Sequence, residues 1–124
     1  MWSFGVINSR IMKHIIAYIR PNKLPAVTLA LHRLPGLPGV SFSEVHGFSS
    51  DRIPKSGPLI VQDLIDYTPY VRVETFCGDD QAYEIKFTIQ NAARTGKNGD
   101  GKIYINEVTD AVRIQTSERE EVFA

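Results

Sequence analysis

The chain has 124 residues, of which 43% are apolar and 23% charged, with 14 basic against 14 acidic side chains. That length suits one domain with one modest core, and the balanced charge excludes a field strong enough to gather nucleic acid. A lone cysteine, Cys77, excludes an internal disulfide and a four-cysteine metal cage. With no apolar run long enough for a signal-peptide core or a membrane span, the expectation is a cytoplasmic protein without membrane insertion.

Residues 1–12 read as an extension, because regular alternation begins only at Lys13 and a second methionine, Met12, stands before it as a candidate start. The domain proper is then 13–124. From Lys13 to Arg20, Ile15, Ile16, Tyr18 and Ile19 predict a strand buried on both faces, ended by Pro21. Asn22 is the expected cap of a first helix with Pro25 in its first turn and Leu24, Val27, Leu31 and Leu34 on its apolar side. The stretch VSFSEVHGF predicts a second strand, expected to end where Gly47 adopts a backbone geometry other residues resist. A long loop follows at about 49–66, with Pro54, Gly57 and Pro58 and then the apolar patch Leu59, Ile60, Val61. Loops of this length are usually functional.

YVRVETF alternates, with Val71 and Val73 on one face and Arg72 and Glu74 on the other, as in a half-covered antiparallel sheet. Asp79 or Asp80 is the expected cap of a second helix striped by Ala82, Ile85, Ile89 and Ala93 and stopped at Gly96. KIYINEV makes a fourth strand, and VRIQT is expected to add a short edge strand. The order β-α-β, long loop, β-α-β predicts an α+β, ferredoxin-like βαββαβ sandwich, both helices on one face of the sheet. The other face of so small a domain needs a partner.

The densest signal is ARTGKNGDGKIYI, from Ala93 to Ile105, where one glycine ends the helix and a second glycine-rich turn feeds a strand through Lys102. A Gly99-Asp100-Gly101-Lys102 turn converges backbone N–H groups on an anion while lysine supplies charge, the recipe for a phosphate cradle. A tight connection using glycine for positive φ and Asp100 for a side-chain turn bond fits the same residues, and on spacing alone is the better reading. The stretch does not have the form of a P-loop.

ARTGKNGDGKIYI resembles the C-terminal motif of the PII signal-transduction proteins, and KHIIAYIRPNKL their first strand and helix start. The likeness continues through SEVHGF, VRVET and AVRIQT, from Met12 to about Glu118. It implies a ferredoxin-like homotrimer that binds ATP or ADP in clefts between subunits. It also implies a loop, here 49–66, that contacts a target protein such as a membrane transporter for ammonium, bicarbonate or heavy-metal efflux. Carried over position by position, the nucleotide residues are Gly99, Asp100, Gly101, Lys102 and Arg113, then Gly47, and near the adenine and ribose Ser41, Glu74 and Phe76. For Phe76 and Ser41 an ordinary strand role at a subunit contact is an equal reading. The partner contact falls on Leu59, Ile60 and Val61.

Several positions depart from the family's pattern. Asp63 stands where nitrogen-regulating members carry a tyrosine that is uridylylated. Asp51 stands where they carry the glutamine that holds Mg and 2-oxoglutarate, which leaves Asp51 a candidate for nucleotide-bound Mg and disfavours a dicarboxylic acid. Ser50, Tyr70 and Gln115 replace basic residues that grip the outer phosphates, so ADP or AMP is expected to compete better with ATP. His14, His32 and His46 lack the spacing of a zinc site and are assigned no metal; Cys77 reads as a structural thiol, and the ERE run at 118–120 as a solvated tail. No catalytic set is visible, so the chain is expected not to be an enzyme. The alternatives are a weak nucleotide hydrolase using Lys102 with Asp51 or Asp63, and a CutA-like metal-tolerance trimer, which would not require the glycine-rich turn.

Overall fold

The computed structural model describes residues 11–47 and 68–118. They form β1 (Met12–Ile19), a 3-10 turn (Pro21–Lys23), α1 (Leu24–His32), β2 (Val40–Gly47), β3 (Thr68–Gly78), α2 (Asp79–Ala93) and β4 (Lys102–Glu107). The four strands make one sheet in the order β2-β3-β1-β4, with every neighbouring pair antiparallel. This is the expected α+β sandwich.

Alternation along the strands decides which residues meet the helices. Ile15, Ala17 and Ile19 of β1 and Val71, Val73, Thr75 and Cys77 of β3 are buried against Val27 and Leu31 of α1 and Ala82, Ile85, Ile89 and Ala93 of α2. Fully burying each of Ile15, Ile19, Val27, Ile85 and Ile89 contributes roughly 1.5–3 kcal/mol. Thr75, the one polar side chain in this layer among the described residues, donates its Oγ1 proton to Gly39 O at 2.8 Å. Burial pushes the Cys77 thiol upward, with Asp80 and Asp79 adding to the shift, so it is held protonated, as a structural thiol would be.

Both helices lie on one face, and this corrects the first strand. Its second face, with His14, Ile16 and Tyr18, is only half-buried, because no element of the described chain covers it. The open face continues across β3 and β4 with Arg72, Glu74, Phe76 and Tyr104, and Tyr18 meets the edge of Tyr104 at 6.3 Å between ring centroids.

The helix starts also differ from expectation. Asn22 lies inside the 3-10 turn, and Lys23 precedes α1 without a side-chain cap; Pro21 has already set the backbone for a tight turn there. Gly78, extended at φ −73° and ψ 156°, precedes α2, so Asp79 and Asp80 occupy its first turn, where negative charge complements the helix dipole. The helix closes at Ala93, and Gly96, at φ +87°, belongs to the turn beyond. Gly47 does end β2, but not at positive φ, and a side chain there would meet nothing within 4 Å. VRIQT is not a strand: Val112 makes a single bridge, and residues 114–116 turn. Arg113 N–H donates to Glu118 O at 2.7 Å and Ser117 N–H to Arg113 O at 2.8 Å, which folds the segment on itself instead of along an edge.

Candidate functional site

The connection from α2 to β4 is built by one carboxylate. Asp100 Oδ2 accepts from Thr95 N–H at 2.8 Å and Gly96 N–H at 2.9 Å, while Oδ1 accepts from Thr95 Oγ1 at 2.5 Å. Arg20, just past the end of β1, donates its Nε proton to Asp100 Oδ1 at 3.0 Å and an Nη proton to Asn98 O at 2.7 Å. Thr95, Arg20 and the Gly96 amide together hold the Asp100 carboxyl well below the usual range for an aspartate. Such a group stays ionised, and its acceptor capacity is spent on the turn.

Glycines supply the path that this clasp holds. Gly96, Gly99 and Gly101 have φ of +87°, +93° and +106°, a region L side chains avoid. At Gly101 space is decisive as well, since a Cβ would stand 1.7 Å from Tyr18 O. The turn therefore lies directly on the backbone of β1 and delivers Lys102 opposite Tyr18. Beside it opens a cleft of about 550 Å³ bounded by α2, the end of β1 and the start of β4.

The remaining expected residues lie elsewhere. Ser41 and Gly47 are on β2, the opposite edge strand, with Ser41 level with Glu74 of β3. Glu74 is engaged: its Oε2 is 2.5 Å from His14 Nε2 and accepts from Arg72 at 3.2 Å. The hydrogen bond from His14 comes first, and with Arg72 it holds the Glu74 carboxyl below its ordinary value. Phe76 stacks on His14, with ring centroids 4.5 Å apart and planes 9° from parallel. Arg113 belongs to the separate turn that follows β4, with Gln115 exposed beside it. Tyr70 is on β3. Ser50, Asp51, Leu59, Ile60, Val61 and Asp63 lie outside the described residues.

One transverse row fixes the separation. Ser43, Arg72, Tyr18 and Lys102 are level across the four strands, which puts Lys102 three strand spacings, about 14 Å, from β2. Within one chain the glycine-rich turn and the Ser41–Gly47 group sit at opposite edges of the sheet. Sequence reading missed Arg20 and Thr95, which only the folded turn joins to Asp100. It also missed Lys86 of α2 and Arg94 just past its end, which line the cleft.

Comparison with known proteins agrees with this architecture. The family model "Nitrogen regulatory protein P-II" matches residues 12–118. The nitrogen regulatory protein P-II of Rhizobium meliloti is 37% identical over 107 residues, covering 86% of this chain and 95% of that protein. The nitrogen regulatory protein GlnK of Escherichia coli is 34% identical over 110 residues, covering 89% and 97%. The crystal structure of Arabidopsis thaliana PII bound to citrate superposes with a TM-score of 0.69 at 32% identity, covering 90% of this chain and 91% of that one. With the expected four-stranded sheet covered by two helices, a clasped glycine-rich turn at its edge and matches spanning nearly all of its length, the chain belongs to the nitrogen regulatory protein P-II family.

Proposed function

We propose that this chain is a regulator that binds an adenine nucleotide between subunits of a homotrimer and controls a partner protein through residues 49–66. The observation that carries it is the placement of the two expected halves of the nucleotide site on opposite sheet edges, β4 and β2. A ligand touching both needs two copies, edge to edge, and a head-to-tail contact of this kind repeats until it closes into a ring. The open sheet face, with Ile16, Tyr18, Phe76 and Tyr104, is the surface such a ring would turn inward.

In this reading the amides of Gly99–Lys102 and the Lys102 ammonium receive the phosphates, and Asp100 acts by holding the turn. Ser41, Gly47 and Phe76 of the neighbouring copy take the base and ribose, and Arg113 adds a phosphate contact. Citrate, named with the Arabidopsis relative, is likewise an anion. The partner is a membrane transporter for ammonium, bicarbonate or heavy-metal efflux; no helix among the described residues is long and apolar enough to cross a membrane. The hydrolase alternative rests on Asp51 or Asp63, outside the described residues; Asp100, the acid at the turn, is occupied as an acceptor and does not stand in for them.

Calorimetric titration of ATP, ADP and AMP, with and without Mg, tests the proposal, with Lys102→Ala as control. Saturable binding that the substitution removes supports it. Absence of binding by all three nucleotides would overturn it.

A further inference from the structure

The cleft beside the glycine-rich turn has a charge pattern of its own. Its walls include Lys86 and Gln90 of α2, Arg94, the extended residue that follows the helix, and Lys102 of β4. The carboxylate on its wall, Asp100, is already balanced by Arg20 at 3.0 Å. Lys86 holds its ammonium over the ring of Tyr83, 4.7 Å from the centroid, and makes no ion pair among the described residues. Lys86 and Arg94 thus border one concavity of about 550 Å³, with Lys102 at its rim level with Tyr18, and among the described residues the carboxylate on its wall is already paired. A volume of this order holds a small ligand, and like charges so gathered repel one another until an anion enters.

We infer that this cleft is an anion-binding pocket for a phosphate chain, with Lys86 and Arg94 as its specificity-determining residues and Lys102 shared with the turn. The chain is the outer phosphates of the nucleotide that the turn receives, or a free pyrophosphate of the same chemistry. In the first case the inference rests on the nucleotide reading above; in the second it stands without it. Lys86 on α2 and Arg94 just past its end then supply the positive charge that Ser50, Tyr70 and Gln115 do not provide.

The test is calorimetry on the full chain with ATP, AMP and inorganic pyrophosphate, comparing the unchanged protein with Lys86→Gln/Arg94→Gln and with the charge-conserving Lys86→Arg/Arg94→Lys. Losing two partly solvated charge-assisted contacts should lower ATP or pyrophosphate affinity about tenfold and flatten its salt dependence. AMP affinity should hold, and the charge-conserving variant should restore most of the loss. Circular dichroism and melting of each variant check that the fold is kept. If no nucleotide binds, the nucleotide reading fails and pyrophosphate alone decides the pocket. The inference is overturned if the neutral double variant binds ATP and pyrophosphate as well as the unchanged protein does, if pyrophosphate and ATP both fail to bind the unchanged protein, or if ATP and AMP weaken equally.

Discussion

Gly101→Ala is the sharpest perturbation the fold offers. The new Cβ would stand 1.7 Å from Tyr18 O and 2.8 Å from Tyr18 C, both backbone atoms of a central strand, at a residue whose φ is +106°. Neither atom is the end of a side chain that swings aside, so β1 or the turn must move by more than an ångström. Strain at such a φ costs about 1–3 kcal/mol, and moving the turn also loosens the bonds Asp100 accepts, for a total of about 3–5 kcal/mol. For a domain of this size that is a fall in Tm of roughly 10–20 °C. The matched control is Gly47→Ala, where φ is not positive and a Cβ meets nothing within 4 Å; its effect should stay within about 0.5 kcal/mol. Urea unfolding of the three proteins at one fixed concentration, so that any assembly contributes alike, reads both. A loss below about 1 kcal/mol at Gly101, or an equal loss at Gly47, would refute the steric argument.

Glu74 has its pKa lowered in the folded chain, chiefly by its hydrogen bond with His14. Its contribution to stability is therefore present above the ordinary glutamate pKa and lost as pH falls through the lower folded value. Glu74→Gln should flatten the acid limb of a stability-versus-pH curve, and an unchanged limb would remove Glu74 from that account. Cys77 is 4% exposed, with its thiol pKa raised by burial, so a thiol-exchange reagent should label it at least about 100-fold faster in denaturant than in buffer; rapid native labelling would contradict its place in the core. Deleting residues 53–63 should abolish capture of a transporter partner while sedimentation shows the same oligomer, and undiminished capture would take the loop out of the mechanism.

Its β-branched run made β1 legible, alternation made β3 legible, and the stripe of Ala82, Ile85, Ile89 and Ala93 made α2 legible, because all three bury residues in the same layer; β2, also read from alternation, adds only the partly buried Val40 to it. The caps were not legible, since an aspartate before a helix serves as a cap or as a first-turn charge depending on one residue of backbone geometry. VRIQT has strand composition, yet Ser117, at φ +60°, turns the chain back on itself. The glycine-rich turn announced itself through three glycines in six residues, but not the clasp beneath it: Arg20 and Asp100 are eighty positions apart, and no local pattern joins them. Nor does strand alternation tell which face of β1 the helices leave open, which is why Ile16 and Tyr18 read as core.

β1 is the first strand of the described chain, yet its two neighbours come late. Lys13 pairs with Cys77 on one side and with Glu107 on the other. Contacts that span most of the chain must meet a large loop-closure entropy before they gain anything, so folding on the millisecond-to-second scale is expected. During synthesis β1 has to wait, unpaired on one side, until Lys102–Glu107 has left the ribosome, and the Arg20–Asp100 clasp cannot form before then. Completion of the fold and completion of the glycine-rich turn are thus one event.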